Sequence, residues 1–245
     1  MKALRQPGEG RDSITDLLRL PGIWRGGELE HVASPAVPTG HAALDAELPG
    51  GGWPTGTLSE LLHDAAGIGE VSLLSGALAR ASEGGRLLAW VAPPHLPYAP
   101  ALARSGLVLD RCVIARPANR EDALWAAEQA LKSGACGAVL LWLERHPGEY
   151  AWLRRVQMAA QAGRAMAILF RSTAAERHAT PSHLRVVVTR EQGGLRVRIP
   201  KRRGPPLAQG IRLELASHPG LAPRDMQAFP PRAPVRRPAF HLVAR

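Results

Sequence analysis

The sequence predicts an α/β protein with a mainly parallel central sheet, followed late in the chain by an antiparallel hairpin. From Thr39 onward, apolar runs of strand length alternate with segments whose apolar residues recur at helical spacing. Strands that are apolar throughout are typical of a sheet buried on both faces, and the helices between them provide right-handed crossovers. A chain of 245 residues is long enough for one such core with extensions.

Five strand-like runs carry the parallel part of this prediction, namely TLSELLH (57–63), RLLAWVA (86–92), CVIAR (112–116), GAVLLWLE (137–144) and AMAILF (165–170). Helical segments are predicted between them, at 70–82, 97–106, 121–134 and 149–163. In the first helix, Val71, Leu74 and Leu78 share one face, and in the third Leu124, Ala127, Gln129 and Leu131 continue the rhythm up to Gly134.

The pattern changes near the end of the core. The runs LRVVVT (184–189) and LRVRIP (195–200) alternate around a short turn, which predicts an antiparallel hairpin, and GIRLEL (210–215) predicts a further edge strand. We therefore divide the chain into an arm at 1–36 with a short helix at 13–20, a core at 37–216, and a flexible tail at 217–245. Six prolines and few large apolar residues predict disorder in the tail.

Charge is distributed unevenly along the chain. Of the 31 basic and 21 acidic residues, the segment 196–245 holds 11 basic and 2 acidic, so it carries nearly all of the net charge of +10. Such a block attracts phosphate backbones or acidic protein surfaces. A solvated, solubilising tail explains the composition equally well.

Several classes of protein are not expected from this sequence. No apolar run has the roughly 18 to 20 residues of a membrane helix, and the amino terminus lacks a secretory pattern. We therefore expect a cytoplasmic protein without membrane partners, with nucleoid association as an option. Cys112 and Cys136 are expected to be reduced packing residues, and the nine histidines show no ligand spacing. We expect no metal and no cofactor.

The stretch SELLHDAAGIGEVSLLSGALAR (59–80) has the outline of a phosphate loop, with a strand, a small-residue turn and a helix. A working loop needs a lysine for the terminal phosphates and a hydroxyl for magnesium. The only lysines are Lys2, Lys132 and Lys201, and the helix opens with Glu70 after Gly69. A carboxylate there satisfies the helix dipole that would otherwise hold phosphate. We interpret His63, Gly67, Gly69 and Glu70 as a degenerate loop.

A magnesium-organising aspartate is also expected at the end of a buried strand. Trp142 takes that place, and Glu144 is interpreted as a surface charge at the strand end.

The run VPTGHAALDAELPGGGWPTGTLSELLHDAAGIGE (37–70) resembles the start of the RecA/RadA-like core. The resemblance is carried by Thr39, Gly40, Leu44 and Asp45, by a glycine-rich bend at 50–54, and by Glu60 on the following strand. The segment LRVRIPKRRGPPLAQGIRLEL (195–215) is similar to the late hairpin of that core. The resemblance implies a RecA-like three-layer fold over residues 37–216.

A narrower resemblance lies in PGIWRGGEL (21–29), followed by PTGHAALDAELPGGGWPTGTLSELL (38–62) and a Pro/Arg-rich terminus. These segments resemble the ImuA family of translesion DNA synthesis-associated proteins, RecA-like relatives that also resemble the cell-division inhibitor SulA. Mapped onto the RecA-like motifs, the first loop glycine corresponds to His63 and the lysine to about Gly69. The strand-end aspartate corresponds to about Trp142, and the water-activating glutamate falls among Ala92, Pro93 and Pro94. We therefore expect no enzyme activity.

The ImuA resemblance implies a non-catalytic accessory protein of DNA-damage-induced translesion synthesis. Its implied partners are RecA and an inactive Y-family polymerase-like protein of the ImuB type, and single-stranded DNA is a further candidate through the basic carboxyl-terminal region. The contact candidates are Lys201, Arg202, Arg203, Arg232, Arg236, Arg237 and Phe240. The helix at 13–20 is interpreted either as a contact with a RecA-like subunit or as a satellite of this core.

Two other functions remain open from the sequence. One is a SulA-like inhibitor of cell division, and the other is a divergent RecA-like ATPase. The tryptophans add one expectation: Trp90, Trp125 and Trp142 are predicted in the core, whereas Trp24 and Trp53 fall in predicted loops and are candidates for contacts.

Overall fold

The computed structural model describes residues 35–143, 149–204 and 206–214, and the structural statements below concern these residues. The strands are β1 (Ala36–Val37), β2 (Trp53–Pro54), β3 (Thr57–Leu62), β4 (Leu87–Val91), β5 (Cys112–Ala115), β6 (Cys136–Trp142), β7 (Met166–Arg171), β8 (Leu184–Glu191), β9 (Gly194–Lys201) and β10 (Leu207–Glu214). The helices are α1 (Ala42–Asp45), α2 (Glu70–Ala81), α3 (Ala99–Arg104), α4 (Arg120–Lys132) and α5 (Glu149–Gly163).

Eight of these strands form one sheet in the order β10-β9-β8-β3-β7-β6-β4-β5. The six from β8 to β5 run parallel, with Leu61 of β3 aligned with Phe170 on one side and Val186 on the other. Strand β9 continues the sheet antiparallel to β8, and β10 runs antiparallel to β9. The predicted mainly parallel sheet and late antiparallel hairpin are therefore confirmed.

Helices cover both faces of the sheet, which gives three layers. One core joins α2 and α3 to one face and includes Leu74, Leu78, Leu102, Leu61, Trp90 and Leu140. The other core joins α4 and α5 to the opposite face and includes Leu124, Leu131, Leu153, Val156, Leu58, Val139 and Leu169. Successive residues of the central strands alternate between these two cores, which explains why the strands are apolar without interruption.

Strand β10 begins three residues earlier than the predicted run at 210–215. Its pairing with β9 shifts register between Leu207 and Ile211, so an irregularity extends the strand past Gly210. A β-carbon at Gly210 would lie 2.7 Å from the Arg196 Cγ, so glycine permits this close approach. The periodicity of the sequence does not reveal this irregularity, in which β10 advances four residues from Leu207 to Ile211 while β9 advances two.

The Thr-Gly-x-x-x-Leu-Asp segment forms a compact turn into α1. The Thr39 amide donates to the Asp45 carboxylate at 2.8 Å, and Leu44 is fully buried. Gly40 has φ of 90°, and a β-carbon at Gly76 of α2 would lie 2.7 Å from the Thr39 carbonyl oxygen. These residues therefore set the close packing of the turn against α2.

Two tryptophan predictions were wrong. Trp53 is fully buried in β2 among the core residues that include Leu44 and Leu48, whereas Trp125 is 63% exposed. Trp125 follows Leu124 on α4, and the helical rotation of about 100° per residue turns it away from the core face. Gln129 is exposed for the same reason, and the buried position beside it is Glu128.

Other expectations have different outcomes. Cys112 and Cys136 are free, and burial raises the pKa of both thiols, which fits packing residues. Across the described ranges, no helix combines the length and apolar character needed to cross a bilayer. The arm with its 13–20 helix, Trp24, Glu144 and the tail at 217–245 lie outside the described residues.

Candidate functional site

The turn between β3 and α2 is the place where a phosphate loop would lie. It runs from His63 to Gly69 at the carboxyl end of a central parallel strand. Open α/β sheets bind ligands at the carboxyl ends of their strands. Gly67 and Gly69 have φ of 76° and 109°, a left-handed conformation that glycine adopts without strain. The backbone therefore has the shape of an anion-binding turn at a helix amino terminus.

The carboxylate of Glu70 fills this turn. Its Oε1 accepts a hydrogen bond from the Gly67 amide at 3.0 Å, and its Oε2 accepts one from the Gly69 amide at 3.1 Å. Glu70 is 6% exposed, so the interaction is largely shielded from solvent. Two amides that a phosphate would use are thus engaged by the first residue of the helix itself.

His63 closes the start of the turn. Its Nδ1 lies 2.9 Å from the Ala65 carbonyl oxygen, which can only accept, so Nδ1 carries the hydrogen. The ring also meets Phe170 edge to face, with centroids 6.0 Å apart. An imidazole thus occupies the position that corresponds to the first loop glycine, where a phosphate-binding backbone needs open space.

An aromatic layer continues from His63 across the carboxyl ends of the neighbouring strands. The Trp142 and Phe170 rings stack with centroids 4.3 Å apart and an interplanar angle of 1°, and Trp90 stacks on Trp142 at 5.8 Å. Trp142 occupies the place at which a magnesium-organising aspartate was expected. Among the described residues, no group of His, Cys, Asp or Glu side chains could hold a metal ion.

The position corresponding to a water-activating glutamate is also apolar. Ala92 follows β4 with φ of 53°, and its amide donates to the Ala115 carbonyl oxygen at 2.9 Å. Pro93 and Pro94 come next and carry no ionisable group. The strand end therefore has a strained backbone without an acid or base.

Asp64 is the acidic residue within the turn, and it forms hydrogen bonds with the segment that follows β7. Its Oδ1 accepts hydrogen bonds from the Thr173 hydroxyl, from the Thr173 amide at 3.1 Å and from the Ser172 hydroxyl at 3.3 Å. The Thr173 hydroxyl is the main cause that lowers the pKa of Asp64. This carboxylate therefore tethers two loops.

A buried ionic cluster lies beneath the same edge, and the sequence reasoning missed it. Glu60 is fully buried, and its Oε2 lies 3.1 Å from Arg171 Nη1 and 3.0 Å from Arg185 Nη2. Its Oε1 accepts from the Thr180 hydroxyl and from the Ser182 hydroxyl, the latter at 2.8 Å. Each carboxylate oxygen thus accepts two hydrogen bonds.

The electrostatics of Glu60 make it structural. Burial by itself raises the pKa of this carboxyl, but Arg185, the two hydroxyls and Arg171 together hold the pKa below its usual value. Arg171 also pairs with Glu149 at the start of α5. A carboxylate whose pKa is held low and whose oxygens each accept two hydrogen bonds is a poor proton donor, and the cluster joins β3, β7 and β8 instead. Charged residues within SELL, LFR and LRVVV were the available signal.

The predicted basic turn lies at the other end of the parallel strands, beside the amino-terminal ends of β3 and β8. Lys201 aligns with Arg185 across the hairpin, and its Nζ donates to the Thr180 carbonyl at 2.8 Å. Burial is the main cause that lowers the pKa of Lys201, and the positive charge of Arg185 lowers it further. Arg202 is largely enclosed and lies 2.9 Å from Glu47 Oε2, so it mainly ties the hairpin to the α1 region.

Arg203 lines a groove of about 340 Å³ together with His183 and Arg202. Thr55 and Gly56 form part of the same wall. Burial lowers the pKa of His183, and the nearby charges of Arg203 and Lys201 lower it further. Arg202 and Arg203 therefore line this groove, whereas Lys201 is bonded to the Thr180 carbonyl, so the three cations do not form one shared tip. Arg232, Arg236, Arg237 and Phe240 lie outside the described residues.

The fold and the turn together define a class of protein: a three-layer α/β module with a phosphate-loop-like turn occupied by its own glutamate. Residues 56–167 match the family model described as "Cell division inhibitor SulA". That segment runs from the start of β3 into β7 and includes the Glu70 turn.

The chain is also similar to curated RecA proteins over part of its length. It is 33% identical over 120 residues to the RecA protein of Cutibacterium acnes, which covers 49% of this chain and 34% of that protein. It is 31% identical over 105 residues to the RecA protein of Bacteroides thetaiotaomicron, covering 43% and 32%. The similarity thus spans about a third of the length of these relatives.

Among solved structures, the chain is similar to SulA from Pseudomonas aeruginosa. The sequences are 29% identical, the match covers 47% of this chain and 97% of that chain, and the TM-score is 0.40.

Proposed function

We propose that this chain is a non-catalytic relative of RecA that acts through its surfaces in the response to DNA damage. In this role it is an accessory of translesion synthesis that links RecA to an inactive Y-family polymerase-like protein of the ImuB type. The observation that carries the non-catalytic part is the Glu70 carboxylate, which lies 3.0 Å from the Gly67 amide and 3.1 Å from the Gly69 amide.

Three further features support the absence of hydrolysis. A phosphoryl-transfer site needs a cation on the phosphates, a metal-organising acid and a group that positions water, and each acts on a different part of the transition state. Here the corresponding places hold Gly69, Trp142 and the Ala92 segment. One missing group lowers a rate, but three missing groups leave no route for charge stabilisation.

The similarity to RecA supports a function of this chain in the DNA-damage response. The SulA family match ends at residue 167, at the start of β7, whereas this chain continues through β8, β9 and β10. The ImuA-like segments quoted above at 21–29 and 38–62 lie largely before residue 56, where that match begins. The ImuA-like segments ahead of the SulA-like segment support the translesion role.

The groove lined by His183, Arg202 and Arg203 is the described surface that best fits the proposed contact with single-stranded DNA or an acidic partner. Burial is the main cause that lowers the pKa of His183, and the positive charges of Arg203 and Lys201 lower it further. Within this groove, Arg202 pairs with the Glu47 carboxylate, whose Oε2 lies 2.9 Å from its Nη1.

The test is reconstitution of the full chain with RecA, single-stranded DNA and the polymerase-like partner at several salt concentrations. We expect the chain to co-purify with both proteins. When RecA is omitted, we expect ATP hydrolysis in the mixture to stay at the level measured without the chain. A steep fall of DNA binding with salt indicates phosphate contacts, and a shallow one indicates protein contacts. Hydrolysis by the purified chain at a rate comparable with RecA would establish the divergent ATPase instead.

A second candidate function is inhibition of cell division, which the SulA family match at 56–167 favours. If the chain has this function, its overexpression in a bacterial host produces long cells that fail to divide. The purified chain then also blocks assembly of the polymerising cell-division protein. Normal division together with RecA binding supports the translesion role. Filamentation without RecA binding supports the division inhibitor.

A further inference from the structure

Strand β5 is the last strand of the described sheet, with β4 as its one described neighbour. Its central residues Val113 and Ile114 are 48% and 38% exposed. By contrast, the consecutive residues Val139 and Leu140 of the interior strand β6 are both buried. The sheet therefore ends, in the described part of the chain, on an edge with exposed apolar side chains on both faces.

The backbone of β5 also has hydrogen-bonding groups directed away from the sheet. The Ala115 carbonyl accepts from the Ala92 amide at 2.9 Å, so Ala115 is bonded on its β4 side. In a parallel ladder the bonded residues alternate, and the amide and carbonyl of Ile114 therefore face outward. An edge with such groups is a template for another strand.

Exposed apolar side chains are concentrated in β5 and in the part of the chain that leads into it. Six of the nine large apolar side chains exposed among the described residues lie between residues 96 and 114, in the β4–β5 connection and in β5 itself. They are Leu96, Tyr98, Val108, Leu109, Val113 and Ile114. A concentration of this kind marks an interaction surface on a folded protein.

The charges around β5 identify the chemistry of the partner. Arg111 and Arg116 flank the strand, and both are exposed. If two copies of β5 paired antiparallel through their outward-facing residues, Ile114 would lie opposite Ile114 and Arg116 opposite Cys112 of the other copy, next to its Arg111. Like charges would then come together at both ends of the pair, which is destabilising. Acidic residues at the ends of an incoming strand would instead meet an arginine at each end.

We propose that β5 is the docking edge for an extended segment of another protein, which adds as a ninth strand to the eight-stranded sheet. The segment has apolar residues at its centre and acidic residues at both ends. This surface lies apart from the Glu70 turn and from the His183 groove, and it serves either of the functions considered above.

The first experiment uses the full chain and a fluorescein-labelled peptide in fluorescence anisotropy. The peptide has about six alternating valine and threonine residues between pairs of glutamates, close to the length of an ordinary strand. We expect saturable binding, and at least about tenfold weaker binding when lysines replace the glutamates. Equal binding of the two peptides, or no binding of either, overturns the proposal.

A variant tests the backbone pairing directly. Ile114→Pro removes the outward amide while the hydrogen bonds to β4 remain, a position at which edge strands tolerate proline. We expect at least about tenfold weaker binding of the glutamate-ended peptide, with an unchanged circular dichroism spectrum. Ile114→Val is the matched control and binds as the natural chain does. A folded Ile114→Pro variant with full affinity contradicts the proposal.

The peptide provides the same test without any change to the protein. Methylation of one alternate set of its amide nitrogens removes the donors that face β5, and methylation of the other set leaves them intact. We expect one methylated peptide to lose binding and the other to retain it. The double variant Arg111→Glu, Arg116→Glu should reverse the preference from glutamate ends to lysine ends. If neither the methylation of the peptide nor the charge reversal at Arg111 and Arg116 alters binding, the proposal of a docking edge is wrong.

Discussion

The Glu70 carboxylate lies 3.0 Å from the backbone amide of Gly67, inside a turn shaped for an anion. This relationship links the local sequence to the proposed absence of nucleotide chemistry, because the helix supplies its own negative charge where a nucleotide phosphate would bind. The turn is retained because it joins β3 to α2, whose residues Leu74 and Leu78 are fully buried in the core.

Glu70→Ala should destabilise the protein by about 1–2 kcal/mol, because two amides at a helix start lose their acceptor. It should not create nucleotide binding, since no lysine enters the turn and the imidazole of His63 still fills its start. Urea denaturation and titration with a fluorescent ATP analogue measure the two effects. Glu83→Ala, at an exposed glutamate after α2, is the control and should change stability by less than about 0.5 kcal/mol. ATP binding by the Glu70→Ala variant would show that Glu70 alone closes the turn, and would contradict the prediction that the missing lysine and His63 also prevent binding.

Glu60→Ala should cost about 3–5 kcal/mol, because it leaves the Arg171 and Arg185 guanidinium groups buried without their shared carboxylate. The midpoint of urea denaturation at neutral pH measures this loss. Glu121→Ala, on the exposed first turn of α4, should have a small effect by comparison. A loss of less than about 1 kcal/mol at Glu60 would show that the cluster is not structural.

The same cluster should make the protein sensitive to acid. The pKa of Glu60 is lower in the folded chain than its ordinary value of 4.5, so its contribution is present above that value and is lost as pH falls through the folded pKa. The pKa values of Asp64 and Glu176 are lowered too, with the same sign. Denaturation midpoints between pH 7 and pH 3 should fall less steeply in Glu60→Gln. Parallel pH profiles for the two proteins would refute this assignment.

Ala92 should tolerate glycine and reject a β-branched residue. Its φ of 53° costs an alanine about 1 kcal/mol, and glycine removes this strain while adding a similar entropy to the unfolded chain. We expect Ala92→Gly to change the free energy of unfolding by less than about 0.5 kcal/mol, and Ala92→Val to lower it by about 2 kcal/mol. Thermal denaturation distinguishes the two, and equal effects would mean that the backbone relaxes at this position.

The double variant Lys201→Ala, Arg203→Ala should weaken binding of single-stranded DNA uniformly across sequences. If each side chain contacts one phosphate, the slope of log affinity against log salt should become less steep by about 0.7 for each lost contact. Arg154→Ala, on the exposed surface of α5, is the control and should leave the slope unchanged. An unaltered slope in the double variant would remove the groove from the proposed DNA contact.

The success of the sequence reasoning on the core has a physical explanation. Strands such as CGAVLLW in β6 are apolar throughout because helices cover both faces, and this pattern is visible without any structure. The α2 face of Leu74 and Leu78 was predicted from spacing alone. The boundaries of β10 were missed because its irregularity at Gly210 interrupts the alternation on which the prediction depended.

The candidate site was only partly visible in the sequence. The loss of the lysine and the presence of Glu70 at the helix start are local facts, since the interacting groups lie within a few residues of one another. The Glu60 cluster was not predicted, because Arg171 and Arg185 are 111 and 125 residues away along the chain. The exposures of Trp53 and Trp125 also depended on neighbours that a local pattern does not specify.

The sequence by itself determined the mainly parallel α/β fold, the late hairpin and the lack of a lysine in the turn after β3, because these depend on short-range periodicity and on residue identity. Only the tertiary structure decided that Glu70 fills the anion turn, that Glu60 joins three strands, and that β5 ends the described sheet with exposed apolar residues. Hydrogen-bond geometry and strand order arise from contacts between distant segments, and such contacts exist only once the chain has folded.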